Sequence, residues 1–125
     1  MSPSNSLEPV KNNIGSAIVG SQIEVFDEVD STNEVVKKYL ANNAPEGLII
    51  VSDAQSKGRG RLGRSWYSES GVGLYLSLLL KPDIVPAHFP RLTLMAAVAI
   101  VDAINKVSHS PATLKWPNDI LLNEK

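Results

Sequence analysis

The sequence has no cysteine, only two histidines, and almost no net charge. Without cysteine there is neither a disulfide framework nor a thiolate metal site, and His88 and His109 stand apart with no ligand-like spacing. Twelve basic against thirteen acidic side chains leave a formal charge of −1, so the whole chain has no basic footprint for nucleic acid or an anionic membrane. The opening "MSPSNSLEPVKNNIGSA" has no basic n-region followed by an apolar core, and no apolar run approaches the roughly 18 residues that span a bilayer. The expectation is a cytoplasmic protein with neither membrane nor nucleic acid as partner. What is present is an ordinary core: 43% of the 125 residues are apolar, enough for one domain.

Residues 1 to about 20, rich in Ser, Asn, Pro and Gly without periodicity, are expected to be a flexible leader, and 21–125 the folded domain. "SQIEVFDEVDS" alternates as a strand, and Ser31-Thr32-Asn33-Glu34 has the Ser-x-x-Glu capping-box pattern. The spacing predicts a helix over about 32–42, with Val35, Val36, Tyr39 and Leu40 on its apolar face, and "LIIV" at 48–51 as a buried strand. "VGLYLSLLLK" at 72–81 reads as a long strand. From Arg91 to Val107 apolar residues recur at helical spacing, which predicts the principal core helix. "PATLKW", a Pro117-Asn118-Asp119 turn and "ILLNEK" predict a closing hairpin. The order β-α-β-loop-β-α-β-β predicts an α+β fold, a mixed sheet with helices packed on it.

Two stretches carry the chemistry. Between residues 57 and 66, "KGRGRLGRSW" gathers three glycines and four cations, with a tryptophan at its end. Gly58, Gly60 and Gly63 satisfy G-x-G-x-x-G, but the dinucleotide fingerprint requires a helix to follow, and "RSWYSESG" is a poor helix start. An arginine–glycine grip on nucleic acid is weakly supported by one such loop on a neutral chain. The general reading is an anion-binding lid: glycines let backbone N–H groups converge, arginines add paired contacts, and mutual repulsion loosens the empty loop. The second stretch is Lys115-Trp116-Pro117-Asn118-Asp119, where Asp119 could pair with Lys115 or position a hydrated Mg2+ on a polyphosphate. Taken alone, a Pro-Asn-Asp turn is most often only a turn.

Taken in order, "DSTN" at 30–33, "QSKGRGRLGRSW" at 55–66 and "KWPND" at 115–119 resemble the catalytic domain of biotin protein ligases, over about residues 23–125. The resemblance implies the biotin–lipoate ligase fold, similar to class II aminoacyl-tRNA synthetases. It also implies a two-step activity, in which biotin and ATP form biotinyl-5'-AMP and biotin then passes to a lysine of the biotin carboxyl carrier protein of acetyl-CoA carboxylase. Carried across residue by residue, Ser31, Thr32, Asn33, Gln55, Arg59, Gly60 and Arg61 would hold biotin. Arg61, Arg64, Trp66, Lys115, Asn118 and Asp119 would hold ATP and the adenylate, with Arg61 and Lys115 closest to the chemistry. No residue is assigned as a metal ligand; Mg2+ would arrive with ATP, with Asp119 as its one candidate protein contact.

The same resemblance marks departures. Family members continue past this hairpin to a lysine in a glycine-containing strand, to further strands and to a small C-terminal domain, and the repressor-type ligases begin with a DNA-binding domain. The expectation is a catalytic domain incomplete at its C-terminus, without a DNA-binding domain. An open sheet edge of this kind favours self-association, a homodimer included. The alternatives are a non-catalytic biotin- or nucleotide-binding fragment of such a ligase, or a related lipoate ligase.

Overall fold

The computed structural model describes residues 18–125; the expected leader lies outside them except for Ile18–Gly20, which form a turn. The chain falls into two compact units, one ending at Lys81 and one running from Pro82 to Lys125.

The first unit is built around a three-stranded sheet in the order β1 (Ile23–Val29), β2 (Ile49–Gln55), β3 (Tyr75–Leu78). β1 and β2 are parallel and β2 and β3 antiparallel, so the sheet is mixed as the element order predicts. The parallel step is made by α1 (Thr32–Ala41). Period-two alternation sorts the apolar side chains onto two faces. Phe26, Val29, Leu48, Ile50 and Leu79 cluster with Val35 of α1, while Ile23, Val25, Ile49 and Val51 form a second cluster. Leu48 and Ile50 have no solvent exposure, and each such burial contributes about 2 kcal/mol.

α1 buries a narrower face than its sequence suggests: Val35 is buried, Val36 and Tyr39 pack beside it, and Leu40 is 45% exposed. Among the described residues of this unit a single sheet receives it, and one contact surface covers about a third of a helix. The helix ends at Asn42, whose side chain donates to the Lys38 carbonyl at 3.0 Å, and Asn43 enters the left-handed region at φ 59°.

β2 runs four residues beyond the predicted "LIIV", to Gln55, because β1 pairs along it to that residue, while β3 pairs only as far as Ser52. β3 is shorter than predicted, with four residues, although Leu79 beyond it still donates to Leu48 O at 2.8 Å and accepts from Gly47 N at 2.8 Å.

The second unit holds α2 (Pro90–Val107), β4 (Ala112–Lys115) and β5 (Asp119–Leu122), the last two an antiparallel hairpin. Pro90 opens α2 at its first turn, where its missing N–H costs nothing. Asn105 fixes the helix to β4: its Oδ1 accepts from Ala112 N at 2.8 Å and its Nδ2 donates to Ala112 O at 3.2 Å. The expectation of a principal core helix is corrected here, since Ala97 is the one buried residue of α2 and Met95, Val98, Ile100 and Val107 are exposed. Two four-residue strands are too small to cover an 18-residue apolar face. The reading that no segment approaches bilayer length is also corrected. Pro86–Val107, with mean hydropathy 1.4, is long and apolar enough to cross a membrane by length and composition alone, although Arg91, Asp102 and Lys106 interrupt it.

Candidate functional site

The site in the first unit begins where β1 hands over to α1. Ser31 is extended (φ −159°, ψ 134°), as an N-cap should be, but its hydroxyl makes no cap hydrogen bond and the predicted capping box does not form. Two partners replace it. Gln55, at the end of β2, accepts the Thr32 N–H through Oε1 at 2.9 Å, satisfying a first-turn amide from another element. Glu34 turns away from Ser31 and pairs with Lys37 at 2.9 Å and Arg59 at 3.1 Å.

The helix start and the sheet enclose a strongly polar cavity of about 240 Å³, lined by Ser31, Thr32, Asn33, Gln55, Arg59, Leu74, Tyr75, Leu76 and Ser77. Five of the residues that the sequence assigns to biotin therefore meet around one space. Ser77 ties them together: its hydroxyl lies 2.8 Å from Thr32 Oγ1 and 2.5 Å from Asn33 Oδ1, while Thr32 Oγ1 lies 3.2 Å from Gln55 Oε1. Two hydroxyl protons serve these three contacts, so one proton is shared between two of them. Ser77 donates to Asn33 Oδ1, and the single Thr32 hydroxyl proton serves Gln55 Oε1 or Ser77 Oγ in turn. Asn33 is thereby held with its amide N–H groups available to a ligand.

Ser77 is absent from the sequence assignment. Its signal is one polar residue inside the apolar strand "YLSLLL", two positions from Tyr75 and so on the same face. The spacing of Glu34 in the sequence predicts a capping role only.

The glycine–arginine loop has the geometry of a hairpin. Trp66 N donates to Gly58 O at 2.8 Å, Gly60 N donates to Arg64 O at 2.7 Å, and Arg61–Gly63 form a short 3-10 turn with Leu62 and Gly63 at positive φ. Its first leg is held by acids beside the helix start: Lys57 lies 3.6 Å from Asp30, and Lys57 N donates to Asp30 O at 2.7 Å. Ser56 Oγ donates to the Asp30 carboxylate at 2.9 Å, and this bond, with the Lys57 charge, holds that carboxyl below its usual range. Glu34 is lowered likewise, by its bond to Lys37 first and by the Lys37 and Arg59 charges after it.

Gly60, Arg61 and Arg64 line neither the polar cavity nor a larger one of about 500 Å³ on the other side of Gln55. Trp66 lines that larger cavity together with Lys57, Tyr67, Ser68 and Glu69, and the residue is 61% exposed. Gln55 belongs to both spaces, and its Nε2 donates to Ser68 Oγ at 3.1 Å. The sequence assignment thus divides into a group around the polar cavity, Arg59 of the loop among them, and loop residues outside it.

In the second unit, Lys115 and Asp119 face each other across the hairpin as Cα partners, on either side of Trp116, Pro117 and Asn118, with a cis Trp116–Pro117 bond. No ion pair joins Lys115 to Asp119 among the described residues, so that expected pairing is not formed. Among the described residues no group of three or more His, Asp or Glu side chains could hold a metal ion.

A mixed sheet whose helix start and strand ends frame a polar cavity, beside a cationic glycine loop, defines an α+β fold. The chain belongs to the biotin/lipoate A/B protein ligase family, which matches residues 25–125. It is 40% identical over 116 residues to the bifunctional ligase/repressor BirA of Bacillus subtilis, covering 93% of this chain and 36% of that protein. It is 31% identical over 113 residues to the biotin–[acetyl-CoA-carboxylase] ligase of Mycobacterium tuberculosis, covering 86% of this chain and 42% of that one. The fold superposes on the biotin protein ligase of Aquifex aeolicus in complex with biotin and ATP, with a TM-score of 0.70 and 40% identity over 80% of this chain and 41% of that structure. The chain therefore spans well under half the length of these relatives.

Proposed function

We propose that this chain serves the ATP-dependent attachment of biotin to a lysine of the biotin carboxyl carrier protein of acetyl-CoA carboxylase. The observation that carries the reading is the polar cavity, where Ser31, Thr32, Asn33, Gln55 and Arg59 meet in a chain of this family. Its hydroxyl and amide lining suits the ureido ring of biotin, which offers one carbonyl acceptor and two N–H donors. Biotin would lie with that ring in the cavity and its carboxylate toward the loop.

A biotin carboxylate oxygen then attacks the α-phosphorus of ATP, the bond to the β-phosphate oxygen breaks, and biotinyl-5'-AMP and pyrophosphate form. The lysine amine of the carrier next attacks the acyl carbon and AMP leaves. Neither step draws a nucleophile from the protein, so its contribution is positioning and charge neutralisation. Arg61 is assigned the approach of carboxylate and phosphate, Gly60 the close passage of backbone over biotin, Arg64 the phosphates and Trp66 the adenine. Lys115, Asn118 and Asp119 are assigned to the nucleotide. One carboxylate, Asp119, fits a Mg2+ held mainly by ATP phosphates and water, the usual habit of that ion. The setting would be the cytoplasm, with a homodimer as the candidate assembly and no nucleic-acid or membrane partner.

Biotin-dependent ATP–pyrophosphate exchange, followed by labelling of a carrier domain, tests the proposal. Exchange without labelling would restrict the chain to the first step, and biotin binding without exchange would make it a non-catalytic binder. Faster exchange with lipoate than with biotin would transfer the reading to lipoate ligation.

A further inference from the structure

We propose that Glu34 is a positioning residue for the polar cavity, fixing the Arg59 guanidinium as an oriented hydrogen-bond donor in its wall. The inference rests on the reading that this cavity takes biotin. Glu34 follows Ser31-Thr32-Asn33 directly, so the one helical turn that presents those three residues also carries the acid that pairs with Arg59 at 3.1 Å. The arrangement is repeated just before α1 begins, where Asp30 pairs with Lys57 at 3.6 Å. Acids at 30 and 34 thus bracket the Ser-Thr-Asn segment, and cations at 57 and 59, either side of Gly58, answer them. Two spaced clamps fix the direction of the loop's first leg as one could not. A carboxylate in the first turn of α1 is also favoured by the helix dipole, so the clamp sits where it costs little.

The pairing alters what Arg59 offers. Its charge is offset by Glu34, while a guanidinium keeps several N–H donors beyond the one engaged. Such a group suits a neutral acceptor, such as the ureido carbonyl of biotin, better than a bare phosphate. Arg59 is therefore assigned to the head group of biotin and not to the nucleotide.

Calorimetric titration of biotin into the full chain tests this with Glu34→Gln, Arg59→Ala, the double variant and Lys37→Ala. Glu34→Gln is expected to weaken biotin about three- to fivefold, the range of a partly exposed ion pair, and less at about 0.5 M salt than at about 0.05 M. In the Arg59→Ala background the same change should add nothing, because the group it positions is gone. Lys37→Ala should leave affinity unchanged, and Glu34→Asp should fall between wild type and Glu34→Gln. Wild-type affinity in Glu34→Gln, or losses that simply add in the double variant, would overturn the assignment. A wild-type chain that does not bind biotin would instead overturn the cavity reading beneath it.

Discussion

The side chain of Gln55, at the end of β2, accepts the backbone N–H of Thr32, the first residue of α1, at 2.9 Å. One side chain therefore caps a helix and forms a cavity wall. Thr32 is 4% exposed, so Gln55→Ala leaves a nearly buried N–H without its acceptor, expected to cost about 1–3 kcal/mol in urea denaturation. Gln55→Glu retains an acceptor and should cost less, while losing the Nε2 donor that holds Ser68. If both variants denature like wild type, the cap contributes nothing to folding.

The Ser77 hydroxyl links Thr32 to Asn33, lying 2.8 Å from Thr32 Oγ1 and donating to Asn33 Oδ1. In Ser77→Ala the Thr32 hydroxyl can turn to Gln55 Oε1, already 3.2 Å away, so the stability loss should stay near or below about 1 kcal/mol. Asn33 has no such substitute and loses its orientation. Biotin affinity should accordingly fall further than stability does, and equal affinity by calorimetry would remove Ser77 from the site.

The glycines of the loop differ in what they require. A Cβ on Gly58 would lie 2.4 Å from Trp66 O and 2.6 Å from Ser68 Oγ, so Gly58→Ala must open the hairpin and should cost about 1–3 kcal/mol. At Gly60 the nearest atom would be 3.5 Å away and φ is −93°, so Gly60→Ala should fold within about 0.5 kcal/mol of wild type. Folding gives no reason for glycine there, and the expected result is a well-folded Gly60→Ala variant with weakened biotin binding. Undiminished binding would remove Gly60 from the ligand contacts.

These contrasts show why the sequence was readable in some places and not in others. Strand alternation and helical spacing gave the order β-α-β-β-α-β-β, and the parallel step followed from one helix between two strands. The fate of an apolar face was not legible, because it depends on the partner: α2 has the spacing of a core helix yet buries only Ala97. Ser31, Thr32, Asn33, Gln55 and Arg59 were found because their motifs are contiguous. Ser77 lies 44 residues from Asn33, and only the pairing of β3 with β2 brings it near. Glu34 resembled a cap because nothing local reveals that Gln55 has taken over that role.

Asp30 makes the loop's first leg sensitive to acid. Its carboxyl is held below the ordinary value of 3.8 by the Ser56 hydroxyl and then by Lys57. A depressed folded-state pKa means a contribution present above 3.8 and lost as pH falls through the lower folded value. In an NMR titration the Asp30 carboxyl and the Lys57 amide should move together below the usual carboxylate range. Ser56→Ala should shift both midpoints upward, and an unchanged midpoint would show that the hydroxyl does not hold the carboxylate.

Arg61 separates binding from chemistry. It stands in the 3-10 turn of the loop and lines neither cavity, unlike Arg59, which is paired with Glu34 in the polar wall. If biotin's ring lies in that wall and its carboxylate reaches toward the loop, the charge at Arg61 matters most when carboxylate and phosphate approach each other. Arg61→Ala should then weaken biotin about tenfold or less but slow ATP–pyrophosphate exchange by about a hundredfold or more, the scale for removing a charge contact made mainly in the transition state. Arg61→Lys should restore part of the exchange by returning the charge without the planar fork. Equal losses in binding and exchange would place Arg61 in ground-state recognition alone, and the task of bringing two anions together would pass to another cation of the site.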